Sequence, residues 1–222
     1  MTNPAANMPT LLIIGSGPGL AQAIARRFGR DGWRTVLAAR NAERLDARVA
    51  ALREDGIEAV AQSADAADPA ALQRLVDGVR DRFGAIDLLV YNAATIRWAS
   101  LLEQPAEEID ADLMVGVGGA IAAAQAAARH MIARGHGTIL FTGGGLALDP
   151  WPGFVTLSAA KAALRAVSVA QRKDPALAAI RFGHIIIHGG INETTAPGIA
   201  DRYAELYRAS AGEWVPEIEL HV

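Results

Sequence analysis

Five residues near the amino end, Gly15-Ser16-Gly17-Pro18-Gly19, join the apolar run Thr10-Leu11-Leu12-Ile13-Ile14 to an amphipathic stretch from Leu20 to about Arg30. Glycine lets a backbone turn sharply and approach a ligand with no Cβ in the way. The helix start that follows offers unpaired N–H groups and the positive end of its dipole. A strand, a glycine turn and a helix start in this order form a cradle for a diphosphate; taken alone, the turn also reads as a tight connection with no ligand. Three further positions carry groups able to hold or act on a bound molecule. Lys161 lies in an alanine-rich helical segment, one turn after Leu157 and on the same face. Thr142 precedes Gly143-Gly144-Gly145. His188 follows Ile185-Ile186-Ile187, at the carboxyl end of a strand, where an imidazole can move a proton near neutral pH; a structural histidine is the commoner reading of such a position.

The elements that must position these groups alternate. Strand-like runs at Thr10–Ile14, Thr35–Ala39, Ala59–Ala61, Ile86–Tyr91, Thr138–Phe141, Ile180–Ile187 and Glu217–Val222 are separated by helical patterns. The helices are expected at Leu20–Arg30, Ala42–Glu54, from Asp68-Pro69 onward, at Ala106–Arg134 and at Thr156–Arg172. Asp68 reads as an N-cap with Pro69 at the first helical position. Strands wholly apolar on both faces, alternating with helices, predict an α/β fold: one Rossmann-like domain over residues 1–222 with a doubly wound parallel sheet of about seven strands. Residues 192–210 are expected to form a substrate lid over the carboxyl edge, with Tyr203 and Tyr207 as packing residues within it. Pro150-Trp151-Pro152 and the stretch from Asn192 to Trp214 are expected to border a substrate cleft, and their apolar and aromatic content points to a small hydrophobic ligand.

The second strand ends Ala38-Ala39-Arg40-Asn41. A carboxylate is usual there when the ribose hydroxyls of NAD are bound; Ala39 takes its place, and the planar fork of Arg40 can pair with a 2′-phosphate. NADP is therefore expected over NAD, with a solvated arginine as the alternative for Arg40.

Order and spacing of these pieces resemble the short-chain dehydrogenase/reductase superfamily over nearly the whole chain. Gly15 and Gly19 match the family's glycine turn, with Ala21 at its third glycine. The resemblance implies a nicotinamide dinucleotide held by Gly15, Ser16, Gly17, Pro18, Gly19 and Leu20, and by Arg40 and Asn41 after the second strand. It adds Asp65 and Ala66 beside the adenine, Asn92 and Ala93 of Tyr91-Asn92-Ala93-Ala94 along the ribose, and Lys161. Gly190, Ile191 and Thr194 follow the sixth strand. Asp65 also reads as a turn residue. At the family's catalytic positions the resemblance places Leu157 for the tyrosine, Gly144 for the serine and Gly116 for the asparagine. Lys161 remains, and Thr142 and His188 are the candidates to supply the missing proton chemistry. Three functions stay open: an unusual NADP(H)-dependent oxidoreductase, a non-catalytic cofactor-binding sensor or prop, and a non-redox enzyme using the cofactor as scaffold.

Composition sets the outer bounds. The chain has 222 residues, 51% hydrophobic and 20% charged, with a net charge of −3 and no block of one sign. That argues against nucleic-acid and anionic-membrane partners. With no cysteine there is no disulfide or thiolate chemistry. The amino end lacks a basic-then-apolar layout, and Val115–Ala128 is too short and too little hydrophobic to span a bilayer, so cytoplasmic residence is expected. His130, His136 and His184 form no metal-ligand spacing, and no metal is expected; His130 and His136 read as exposed. The alanines from Ala120 to Ala128 read as a close-packing face, and the resemblance implies a homodimer or homotetramer.

Overall fold

The computed structural model describes residues 8–222. Seven parallel strands form one sheet in the order β3-β2-β1-β4-β5-β6-β7. They are β1 (Thr10–Ile14), β2 (Arg34–Ala39), β3 (Ala59–Ser63), β4 (Leu88–Tyr91), β5 (Gly137–Thr142), β6 (Ile180–His188) and β7 (Glu217–His221). The expected strands are all present, with ends shifted by one or two residues. The helices are α1 (Leu20–Gly29), α2 (Ala42–Glu54), α3 (Pro69–Phe83), α4 (Ala106–Leu113), α5 (Gly119–Arg134), α6 (Val155–Gln171) and α7 (Ala196–Arg208).

Strand side chains alternate between faces, and both faces here are covered. Leu11, Ile13, Leu37, Val90, Leu140 and Ile185 pack with residues of α1, α2 and α7. Leu12, Ile14, Val36, Leu89, Ile139, Phe141 and Phe182 pack with α3, α5 and α6. Two-sided burial explains why the strands read as unbroken apolar runs. Strand order reverses between β1 and β4, and the loops at their carboxyl ends diverge there into a crevice.

Local signals act as their chemistry dictates. Asp68 caps α3, accepting from the N–H groups of Ala70 and Ala71, with Pro69 in the first turn. Asn41 caps α2, accepting from the Arg44 N–H. Gly135, at φ 77°, ends α5 in the left-handed conformation.

Two expectations are corrected. Residues 192–210 are not a lid: α7 packs against α1 as part of the helical layer, and Tyr203 is 0% exposed. Its hydrophobic face, with Ile199, Ala200, Tyr203 and Leu206 buried, needed a core partner and found α1. Tyr207 does pack as expected, edge-on to Phe28 and Trp33. Second, the helical run Ala106–Arg134 is long and apolar enough to cross a bilayer by length and composition, contrary to the estimate from its central segment. In this fold half of its most apolar window is buried, α5 lying against α3 and the sheet. The alanines of α5 form a close-packing face, as expected: Ala120, Ala123, Ala126 and Ala127 belong to the core.

A π-helical turn, Met114–Gly118, links α4 to α5. Its Val115 carbonyl accepts from the buried Tyr91 hydroxyl at 2.6 Å. A side chain on Gly119 would meet the Ala66 carbonyl oxygen at 2.1 Å and the Tyr91 hydroxyl at 2.5 Å, so only glycine lets the helix come this close to the sheet.

Candidate functional site

A cleft of about 960 Å³ opens along the carboxyl edge of the sheet, over the point where strand order reverses. That is the volume of an ordinary ligand site. Gly15, Ser16, Gly17, Pro18 and Leu20 line one end, Arg40 and Ala66 its flank, and Asn92, Ala93, Lys161, His188 and Ile191 the remainder. The carboxyl edge gathers them because the turns after β1, β2, β3, β4 and β6 and the first turns of α6 all lie there.

The glycine turn is held from three sides. Gly15 and Ser16 both donate their N–H to the Ala38 carbonyl at 3.0 Å. Asn92 donates its side-chain amide to the Gly15 carbonyl at 2.9 Å. Gly15 has φ +92°, and a Cβ there would lie 2.3 Å from the Ala93 nitrogen, so the turn presses directly on the end of β4. Around Gly17, by contrast, nothing lies within 4 Å of where a Cβ would be. The start of α1, with Gly19 at φ +91°, has no side-chain cap. The Ser16 hydroxyl oxygen is buried with no hydrogen-bond partner. An uncapped helix start beside an orphaned buried hydroxyl and open space is what a diphosphate would satisfy. The residues present fit a dinucleotide.

Other expected contacts divide. Arg40 is exposed on the cleft flank, and Ala39 stands where a carboxylate would be. Asn41 is occupied as the α2 cap, and Asp65 accepts from the Ala67 N–H at 2.9 Å, the use a turn residue makes. Gly19, Asn41, Asp65, Gly190 and Thr194 lie outside the cleft lining; Thr194 is exposed in the Asn192 turn that precedes α7. Ile191 borders the cleft, but the chain from Asn192 to Trp214 does not. Sequence reasoning passed over Arg48, one turn of α2 beyond Arg44, whose guanidinium donates to the Ser16 carbonyl. Burial, then the neighbouring Arg44, pulls its pKa down. Its position in an otherwise solvated helix carried no signal in the sequence.

At the far end, Leu157 lines the cleft and is 8% exposed, one turn before Lys161. Lys161 donates from Nζ to the Thr142 carbonyl at 2.8 Å, and burial pushes its pKa down to about 8. The Thr142 hydroxyl is not available to the cleft. Thr142 is the last residue of β5 and shares the parity of Leu140, so its side chain falls on the α7 face. There it hydrogen-bonds the buried Tyr203 hydroxyl at 2.7 Å. The strand stops before Gly144, so the alternation that would have aligned Thr142 with that position does not apply. His188 reaches the cleft with its Nε2 3.0 Å from a Glu219 carboxylate oxygen.

The other histidines differ from expectation in one case. His130 is half-buried, its Nε2 2.8 Å from Asp77 and its ring against the Arg80 guanidinium; His136 is exposed as expected. His184 is fully buried with no hydrogen bond at either ring nitrogen, its Nδ1 3.7 Å from a Glu217 carboxylate oxygen, and burial lowers its pKa to about 4 against the pull of Glu217.

The outer rim is apolar. Ile96, Leu146, Leu157 and Val115 line it, and Trp98 packs edge-on to Phe154 at 4.9 Å. An isolated bridge between Ala99 and Phe154 ties this segment to the start of α6. Beneath it Asp112 binds Arg97 at 2.9 Å and the Thr156 hydroxyl at 2.9 Å. Burial opposes the charge of Asp112, but these bonds prevail and hold its pKa low.

Residues 9–197 match the family model described as short chain dehydrogenase. The chain belongs to that family. A sorbitol dehydrogenase of Cereibacter sphaeroides is 39% identical over 128 residues, 58% of this chain and 49% of that protein. An uncharacterized oxidoreductase of Thermotoga maritima is 31% identical over 157 residues, 71% of this chain and 61% of its own length. The matches thus span about half to three-fifths of these relatives. Among solved structures, a short-chain dehydrogenase from Rhodopseudomonas palustris superposes with a TM-score of 0.87 at 25% identity, covering 96% of this chain and 97% of the other. A metagenomic short-chain oxidoreductase in complex with NADP gives 0.86 at 25% identity, covering 96% of each.

Proposed function

We propose that the protein is an atypical NADP(H)-dependent oxidoreductase acting on a small hydrophobic substrate. The observation that carries this reading is the pairing, in one cleft, of a phosphate-ready glycine turn with Lys161 and an apolar rim. The bound dinucleotide supplies or accepts a hydride. Arg40, on a flank without an acid, selects the 2′-phosphate. Ser16 and the start of α1 take the diphosphate, and Asn92 keeps the turn in shape.

The family positions of the phenol, hydroxyl and amide hold Leu157, Gly144 and Gly116. That leaves Lys161 as the proton carrier. An amine titrating at about 8 is charged enough to donate and weak enough to be reloaded near neutrality. The Thr142 carbonyl orients it, and the buried Leu157 lies one turn before it on the same helix face. Substrates needing little acid assistance, such as an activated alkene, an imine or a quinone, suit such a site.

Binding without turnover is the second reading. Thr142 favours it, because its hydroxyl is committed to Tyr203 and no cleft hydroxyl stands beside Lys161 at the family's serine and tyrosine positions. Calorimetric titration with NADPH and NADH, then a screen of enones, imines, quinones and carbonyls for loss of reduced-cofactor absorbance, separates the readings. Tight NADPH binding with no turnover across the panel supports the second, and no binding of either cofactor refutes both.

The outward faces of α5 and α6 support self-association. Ile121, Ala128 and Ile132 of α5 and Val167 of α6 line a shallow groove there. The homodimer or homotetramer is proposed to close on that groove.

A further inference from the structure

A second constellation lies at the free edge of the sheet. The family match covers residues 9–197, so two of its three residues lie beyond the matched segment. Parallel register sets His188 of β6 directly beside His221 of β7. Side chains two apart on a strand share a face, which puts Glu219 on the same side as His221. The two imidazoles stack with centroids 4.3 Å apart and planes 13° from parallel. His188 Nε2 is 3.0 Å from Glu219 Oε2, and one ligand atom from each of the three residues lies within 4.8 Å of the other two. Bonds of about 2.0–2.2 Å to a tetrahedral ion place ligand atoms roughly 3.3 Å apart. Small rotations of these partly or fully exposed side chains reach that spacing.

The backbone beneath them is locked. The Val222 N–H donates to the His188 carbonyl at 3.0 Å. Gly189 sits at φ +103°, and a Cβ there would meet the Val222 carbonyl oxygen at 2.2 Å. Only glycine permits this contact, which closes the end of β6 on the end of β7 and prevents the register from slipping. The donors therefore come from two paired strands, and not from a loop. Among the described residues, neither ring nitrogen of His221 has a hydrogen-bond partner, so the constellation has unused ligand capacity.

We propose that His188, Glu219 and His221 form a three-ligand site for a first-row divalent cation, zinc or its analogues cobalt and nickel, with water completing the coordination. Two imidazoles and one carboxylate suit these ions better than magnesium or calcium, which prefer oxygen. The ion clasps β7 to β6 and stiffens one wall of the cleft, since His188 and Gly189 both line it. The site stands whether or not the cleft turns over a dinucleotide.

The test uses the full chain without an affinity tag, stripped by a chelator that is then removed. Zinc is titrated by calorimetry and cobalt by its visible absorption. The expected result is one equivalent bound at micromolar or lower Kd, and a melting temperature several degrees higher with zinc. His221→Ala weakens binding by at least about a hundredfold and Glu219→Gln by about tenfold, in line with losses typical of metal-site perturbation. His130→Ala, remote from the edge, leaves it unchanged. Circular dichroism confirms that the variants are folded, and Glu219→Gln preserves side-chain shape if the alanine variant is impaired. The proposal is overturned by no saturable equivalent, by equal binding in His221→Ala and Glu219→Gln, or by equal affinity for magnesium; the trio is then a ring stack and an ion pair only.

Discussion

Removing the charge of Lys161 makes the protein more stable near neutrality and not at high pH. Its amine titrates at about 8 in the fold, against 10.5 for an ordinary lysine, with burial as the cause. Each pKa unit corresponds to about 1.36 kcal/mol, so holding the ammonium in this site costs roughly 3 kcal/mol when both states are protonated. The sign follows from linkage: between pH 8 and 10.5 the unfolded chain binds the proton and the native chain does not, so native stability rises with pH across that window. Lys161→Met removes the cost but also the bond to the Thr142 carbonyl, worth about 1 kcal/mol. The expected net gain is about 2 kcal/mol at pH 7, a rise in melting temperature of about 4–8 °C for a chain of this size. Near pH 10 the gain vanishes or reverses. Urea unfolding of both proteins from pH 7 to 10 reads the convergence. The chain has only one other lysine, Lys173, so NMR after isotopic methylation of the amines resolves the Lys161 titration from those of Lys173 and the α-amino group. A Lys161 midpoint at or above 10.5, or a stability difference that does not change with pH, refutes the reasoning. The same variant should abolish any turnover and weaken NADPH binding, since Lys161 lines the cleft.

Other outcomes follow from the geometry. Arg40→Ala should weaken NADPH binding about ten- to a hundredfold, the worth of a charge-assisted contact, and leave NADH binding unchanged in parallel calorimetry. Restoring the family's polar residues should succeed at Gly144→Ser, where a Cβ meets nothing closer than 3.7 Å, and fail at Gly116→Asn, where it would lie 2.6 Å from the Ala160 Cβ. Gly116→Asn alone should cost about 1–3 kcal/mol in urea unfolding, relieved by adding Ala160→Gly. His184 is held neutral by burial with a pKa of about 4, so the unfolded chain protonates first as pH falls from 6.5. Stability should drop by up to about 3 kcal/mol between pH 6.5 and 4, and His184→Leu should flatten that dependence in acid-unfolding curves. Tyr203→Phe leaves the Thr142 hydroxyl buried without its partner and should cost about 1–3 kcal/mol; unchanged cofactor affinity in that variant would agree with the pair's place outside the cleft.

Much of the cleft was legible from local chemistry. A glycine turn after an apolar strand has few other uses, and Gly15, Ser16, Gly17 and Leu20 line the cleft as their spacing implied. Asn92 and Lys161 were found through the family pattern. Asn41 and Asp65 were placed correctly in the chain, but their oxygens serve a helix cap and a turn. Sequence alone could not distinguish those uses, because both are short-range hydrogen bonds that any Asn or Asp can make. Arg48 was missed because its role depends on where α2 lies relative to the turn, a relation between elements.

Pattern and turn chemistry by themselves determined the α/β class, the succession of seven strands along the chain and the glycine turn after the first of them, since each depends on periodicity or backbone conformation over a few neighbouring residues. Tertiary packing decided the rest. It sent the Thr142 hydroxyl to Tyr203, on the α7 face that Thr142 shares with Leu140, and it laid α7 on α1 instead of over the cleft. It brought His188 beside Glu219 and His221, more than thirty residues on, through the register of two parallel strands. Such contacts join positions remote in the chain, and only the sheet's own hydrogen bonding sets which of them meet.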